Sequence, residues 1–275
     1  MMARLKTALK VGLAMFATAQ AVTMGGLLIL DRQRKRHRGH VPFPFAPPRE
    51  MPTGADRVTV YTKGRDLYDD MLAAIDAAED TILLETYIWK GDRVGRQFKR
   101  ALTEAAERGV DVFVCYDVFA NLVVPQHFFQ FGPRVHVLRH RPWTGARGAP
   151  FVRAPGLNHR KILVIDGQVG FVGGYNLGSL YASRWRDTHM RVRGPAAAEL
   201  ENAFVDYWNS SRGRRHPALP QPDHRTWHSP ITVVRNVPSV GVYPIRYMYL
   251  EAIDRARERI WLTHAYLIPD DDLTL

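Results

Sequence analysis

The chain has 275 residues, enough for one or two domains, and its 46% hydrophobic and 24% charged content is that of a globular protein with a real core, not of a disordered or fibrous one. The formal net charge is +11, which points to anionic company: phosphate-bearing lipid, nucleic acid or a membrane surface. The single cysteine, Cys115, excludes an intrachain disulfide. Its place in the apolar run VFVCYD reads as a small buried hydrophobe.

Residues 11–30, VGLAMFATAQAVTMGGLLIL, carry no charge, and twenty such positions suffice to cross a bilayer as a helix. Arg4, Lys6 and Lys10 precede the run; Arg32, Arg34, Lys35, Arg36 and Arg38 follow it. Five basic residues against three place the downstream chain on the cytoplasmic side of the cell membrane. A signal peptide cleaved near Ala17-Thr18-Ala19 is the rival, and the nine further apolar residues past Ala21 favour an anchor. Residues 1–30 therefore read as a basic stretch with a single-pass anchor. Residues 31–55, rich in Pro and Gly from position 39, read as a linker.

From residue 57 strands and helices alternate. RVTVY (57–61) is strand-like, and residues 65–80 carry Leu67, Met71, Leu72 and Ile75 at helical spacing. TILLETYIW (81–89) reads as a strand, residues 95–109 as an amphipathic helix stopped by Gly109, and 111–117 and 135–140 as strands. RPWTGARGAP (141–150) is a turn-rich loop. KILVID and VGFVGG flank Gly167-Gln168 as a hairpin. Residues 186–194 read as a strand and 196–211 as a helix with Leu200, Phe204, Tyr207 and Trp208 on one face. The alternation implies an α/β sandwich, a mixed sheet flanked by helices, over residues 56–212.

Residues 213–230 read as a second linker. Beyond it, LEAIDRARERIWLTHAYL (250–267) repeats LAAIDAAEDTILLETYIW (72–89) at an offset of 178, matching Leu72, Ile75, Asp76, Ala78, Ile82 and Leu84 to Leu250, Ile253, Asp254, Ala256, Ile260 and Leu262. Duplication explains ungapped identities in one supersecondary context. Residues 231–275 are thus expected to begin a second, truncated copy of the same domain.

LNHRKILVIDGQVGFVGGYN (157–176) carries the chemistry. On an extended strand His159 and Lys161 share a face, whereas Asp166 has the opposite parity and sits at the turn, suited to hold N–H groups there. Gly173 and Gly174 let backbone approach a ligand, and Asn176 offers an amide donor. Together these suit a phosphodiester. Lys and Asn stabilise charge on phosphate oxygens, and a neutral imidazole attacks phosphorus to form a covalent intermediate. No Cys/His set or carboxylate cluster has metal-ligand spacing, so no metal or other cofactor is expected.

His159-x-Lys161-x4-Asp166 followed by Gly173-Gly174-x-Asn176 resembles the signature of the phospholipase D superfamily. WRDTHMRVRGPAAAELENAFVDYW (185–208), ETYIW (85–89) and HAYLIPDDDL (264–273) resemble its bacterial cardiolipin synthases. The resemblance covers about residues 57–275. It implies two α/β halves, each giving one motif to a shared site, with one His as nucleophile and the other as general acid. It implies no metal. Carried over, His159, Lys161, Asp166, Asn176 and Asp187 form the catalytic set, Asp187 being the acid that hydrogen-bonds the motif His. Glu85, Gly173, Gly174 and His189 are candidates for substrate binding, although a structural hydrogen bond explains Glu85 equally well. Gly174 stands where many relatives have Ser. Trp143 and Phe151 are candidates for acyl contacts, and Arg212, Arg214, Arg215 and His216 for headgroup contacts.

The expected activity is phosphatidyl transfer at the membrane, with phosphatidylglycerol as the anionic lipid partner and cardiolipin as product. The second motif is expected near position 337, beyond this sequence. A fragment of a longer chain, a homodimer that completes the site and an inactive relative are then the explanations; truncation is the better fit, and the 275-residue chain alone is expected to have little activity. A dimeric phosphodiesterase acting on nucleic acid and a non-catalytic lipid-binding protein are the alternatives. The spanning segment argues against nucleic acid.

Overall fold

The computed structural model describes residues 45–141, 156–221, 230–235 and 243–264, with scattered positions between 15 and 33. Two compact units emerge, Met1–Pro44 and Phe45–Leu275. In the first, the described positions between Met15 and Gln33 are helical. Most of the expected anchor lies outside the described residues, and among those described no helix is long and apolar enough to cross a membrane. Trp143 and Phe151 also lie outside them.

The second unit is built on one eight-stranded mixed sheet. Its strands are β1 (Glu50–Thr53), β2 (Asp56–Tyr61), β3 (Thr81–Thr86), β4 (Asp111–Asp117), β5 (Val135–His140), β6 (Ile162–Ile165), β7 (Val169–Gly173) and β8 (His189–Arg193). Their spatial order is β1-β2-β8-β7-β6-β3-β4-β5. The β3–β4 and β4–β5 pairs are parallel and the rest antiparallel. The helices are α1 (Gly64–Asp76), α2 (Arg93–Glu107), α3 (Ser179–Ser183), α4 (Ala197–Ser211) and α5 (Pro244–Arg255).

Two periodicities make the layers. Alternate residues of the central strands face opposite sides. Ile82, Leu84, Val112, Val114, Leu163 and Phe171 pack against Leu67, Met71 and Ile75 of α1 and Phe98 and Leu102 of α2. Leu83, Phe113, Cys115, Ile162 and Val164 pack against Leu200, Phe204 and Trp208 of α4. Asp92 starts α2 by accepting the Gly95 N–H at 3.1 Å, and its other oxygen accepts the Ser179 N–H at 2.7 Å. Gly109, at φ +102°, ends it.

Several expectations are corrected. The first helix stops at Asp76, not at 80, because the N–H groups of Glu79, Asp80 and Thr81 are taken by the Asp166 carboxylate. The hairpin turns on Asp166 and Gly167, both at positive φ (50° and 63°), with Gln168 N–H closing on Ile165 O. An Asp-Gly pair suits that mirror-image turn. Part of the expected first linker is β1, an edge strand that tolerates Pro52. Part of the second is docked: Trp208 Nε1 donates to Pro217 O, and Asn209 pairs with Leu219 through both amide atoms. In the repeat, α5 forms at the position equivalent to α1. Residues 256–264, equivalent to the turn after α1 and to β3, are described without strand pairing.

Candidate active site

The topology gathers one end of the sheet. The chain leaves β3, β4 and β7 at this end and returns into β6 and β8 there, because β6 is antiparallel to β3 and β7 in turn to β6. Tyr87, Asp117, His159, Lys161, Asn176, Asp187 and His189 therefore converge. The ends of strands are where α/β folds gather functional groups.

His159 and Lys161 lie just ahead of β6. Parity puts them on the face that carries Leu163, opposite to Ile162. Both reach one aromatic ring. The His159 imidazole meets Tyr87 edge-on at 4.5 Å between centroids, and Lys161 Nζ lies 5.0 Å from the same ring centre. Lys161 Nζ also donates to the His159 carbonyl at 2.6 Å. Burial pulls the Lys161 ammonium down from its usual 10.5 to about 8, although the Asp187 charge acts the other way. Burial, then the Lys161 charge, also lower the His159 pKa, and Asp187 and Asp117 oppose this. The imidazole is thus held neutral beside a cation.

Asn176 is fixed by its backbone and its amide. Its Oδ1 accepts the Ile88 N–H at 3.1 Å, its carbonyl accepts the Tyr68 hydroxyl, and Leu177 bonds Ile88 and Lys90 on either side. This places Asn176 beside the segment that carries Tyr87.

The two glycines have separate reasons. Ile162 pairs with Val172, so Lys161 falls opposite Gly173, and Gly173 pairs with His189. Lys161, Gly173 and His189 thus occupy one rung across three strands. A Cβ on Gly173 would lie 2.5 Å from His189 Cα and 2.6 Å from Thr188 O. On Gly174 a Cβ would lie 1.9 Å from Asp187 Oδ1, so Asp187 occupies the space a Ser side chain would need.

Asp187 Oδ1 accepts the Thr188 N–H at 2.9 Å, and Oδ2 accepts Trp185 Nε1 at 3.4 Å. Its charge reaches both His159 and Lys161, but among the described residues no hydrogen bond joins it to His159. His189 is 2% exposed, and neither ring nitrogen has a hydrogen-bond partner among the described residues. Burial, then the Lys161 charge, lower its pKa from 6.5 to about 3.

Two expected site residues stand elsewhere. Asp166 lies at the far end of β6, seven residues from His159, or about 20 Å along extended chain. Its carboxylate holds the N–H groups of Glu79, Asp80 and Thr81 at 3.0, 2.9 and 2.8 Å. Its role in this structure is to tie the hairpin to β3. Glu85 lies on the α4 face with Leu83, so it does not face the His159 side. It accepts Asn158 Nδ2 at 2.5 Å and Arg160 at 2.9 and 3.2 Å. Glu85 therefore grips the residues flanking His159 from the opposite face. Arg212 and His216 are also occupied locally, Arg212 donating to the His216 carbonyl and His216 bonding Val137 O.

Tyr87, Asp117 and Asn158 were missed by pattern reasoning. Asp117 Oδ2 accepts the Asn158 N–H at 2.9 Å, and Asp117 Oδ1 accepts the Ala120 N–H. The available signal was position: Tyr87 follows the first of two parallel strands and Asp117 ends the second. Among the described residues no group of His, Cys, Asp and Glu could hold a metal ion.

The family described as "Cardiolipin synthase, PLD-like domain" matches residues 71–208. "Cardiolipin synthase A" of Pseudomonas aeruginosa is 33% identical over 222 residues, covering 78% of this chain and 45% of that protein. "Cardiolipin synthase" of Listeria innocua is 30% identical over 259 residues, covering 88% of this chain and 52% of that protein. The chain thus spans about half the length of these relatives. Among solved structures, "NucT from Helicobacter pylori" matches with a TM-score of 0.49 at 17% identity, covering 57% of this chain and 99% of that one. The matched segment, half of the 275 residues, carries the whole of the gathered site, and the chain belongs to the cardiolipin synthase PLD-like domain family.

Proposed function

We propose that this chain carries one half of a phosphatidyl-transfer site in which His159 is the nucleophile. The observation that carries the reading is the pairing of a neutral imidazole with a buried, proton-holding ammonium against the one ring of Tyr87. A phosphodiester fits such a place. The imidazole nitrogen attacks phosphorus, the bond to the headgroup oxygen breaks, and a phosphohistidine forms. Lys161, the Asn176 amide and His189 donate to the phosphate oxygens, where charge builds. The bare backbone at Gly173 lets the backbone of Thr188 and His189 come close, which brings His189 beside Lys161. Asp187 stabilises the imidazole whenever it carries positive charge.

The substrate we assign is phosphatidylglycerol. Its glycerol leaves with a proton from the matching His of a second half-site, supplied by a longer chain or a second copy. The hydroxyl of another phosphatidylglycerol then takes the phosphatidyl group from His159, giving cardiolipin. The names of the relatives support this choice of substrate, and the +11 charge suits an anionic lipid. Residues 11–30 are proposed as the anchor that keeps the site at the bilayer.

The test is capture of the intermediate. With its second half-site present, in a longer chain or a dimer, the protein incubated with phosphatidylglycerol labelled at phosphorus is expected to acquire label on this half that survives base and is lost in acid, and His159→Ala is expected to acquire none there. Label on this half of the Ala variant, or cleavage of DNA in EDTA with no reaction on phosphatidylglycerol, overturns the assignment.

A further inference from the structure

From β2 to the segment after α4 the exposed large apolar side chains gather at one end of the sheet, apart from those of β1 and of residues 230–264. Between residues 56 and 221, the large hydrophobics that stand exposed among the described residues are Phe119, Leu122, Val123, Leu157, Leu180 and Trp185. All six lie on segments at the end of the sheet that holds His159. Phe119, Leu122 and Val123 follow the last residue of β4, and Asn121 among them is tied to Tyr87 O and Trp89 N. Leu157 is two residues before His159. Leu180 lies on α3, just after Asn176, and Trp185 bonds Asp187. At the opposite end, the turns at 54–55, 77–80, 108–110, 166–168 and 194–196 expose none.

Val123 is 80% and Leu122 60% exposed, an arrangement costly in water. We infer that these loops form a bilayer-docking rim, a lipid contact made by the sheet unit itself and independent of residues 11–30. Charge decides between occupants. His159 and Lys161 stand at this same end, whereas the core of a protein–protein interface is depleted of charge. Arg139, Arg184 and Arg186 stand exposed at the same end and suit anionic headgroups. A Trp with one polar edge and short apolar loop tips suit the headgroup boundary. The inference does not rest on which phosphodiester the site cuts.

The experiment uses the full chain with one spin label. Cys115 is buried, so Val123→Cys and, at the opposite turn, the exposed Gln168→Cys give single reporters. Each labelled chain is mixed with vesicles of phosphatidylglycerol and phosphatidylcholine. At 123, collisions with oxygen are expected to rise severalfold relative to those with a water-soluble nickel chelate. The label at 168 is expected to keep its aqueous ratio. A 123 label that stays aqueous overturns the inference. So does one that loses access to both reagents, which assigns the rim to protein. Phosphohistidine capture can fail while the rim inserts, and the reverse, so the two readings are separable.

Discussion

The two ends of β6 carry polar groups treated in opposite ways. At the turn end, Asp166 is saturated: its carboxylate holds three backbone N–H groups. At the other end, His189 of the neighbouring β8 is buried with neither ring nitrogen partnered among the described residues. Lys161 is buried far enough to lose part of its hold on a proton, and His159 leans on one aromatic edge. Buried polar groups that serve the fold are hydrogen-bonded, and exceptions ask for a reason. The turn end spends its polarity on structure. The strand mouth leaves it unspent, as the proposed phosphodiester site requires. Sequence spacing alone treats Asp166 and His159 as members of one motif; the sheet sets them apart.

The comparison breaks most visibly if the two residues are exchanged as targets. His159→Ala is expected to lower phosphohistidine formation by at least about a thousandfold, with a urea midpoint close to that of the parent. Asp166→Ala is expected to do the reverse. Removing an ionised acceptor of three N–H groups costs on the order of 3 kcal/mol of stability, read from urea unfolding, while labelling per folded molecule stays near the parent level. Equal destabilisation by both changes would erase the distinction between the two ends.

Much of this contrast was legible in the sequence, for reasons that differ by residue. Strands β2 to β8 follow from apolar runs and alternation, and the shared face of His159 and Lys161 follows from a period of two. The parity of Asp166 already pointed it away from His159. Glu85 defeated the reading because a lone carboxylate on an apolar strand does not say which face it takes. Its partners Asn158 and Arg160 lie over seventy residues away. Tyr87 escaped for a similar reason. It lies one residue past β3, where alternation stops, and its contact with His159 depends on β6 pairing against β3. The β1 strand hid behind Met51-Pro52, which reads as linker unless β2 is known to be next to it.

A finer test uses the unpartnered imidazole. Burial and the Lys161 charge lower the His189 pKa to about 3, from 6.5. This base has a depressed folded-state pKa, so its contribution to stability is complete above about pH 6.5 and is lost as pH falls toward 3, because only the unfolded chain takes up the proton. Between pH 6.5 and 5 the loss from this group is about 2 kcal/mol. His189→Gln, which cannot titrate, is expected to flatten the pH dependence of the urea midpoint by that amount. An unchanged slope would mean that His189 reaches solvent or a partner in solution.

The smallest expected effect concerns Lys161, and its sign is fixed by the site. The folded protein holds this ammonium at about 8, below the usual 10.5, through burial. For the free protein the rate of labelling at low lipid is therefore expected to hold level around neutral pH, where His159 is unprotonated, to halve near pH 8 and to fall about tenfold per further pH step. Bound phosphate brings negative charge to the ammonium and raises its pKa. At saturating lipid the same descent should thus move to higher pH. Asp187 also favours the protonated form, so Asp187→Asn is expected to move the descent lower. Lys161→Arg, whose guanidinium keeps its proton, is expected to remove the descent at reduced absolute rate. A descent that stays near pH 10 in the parent chain would show the ammonium to be solvated, and the two ends of β6 would then no longer differ in how their charges are kept.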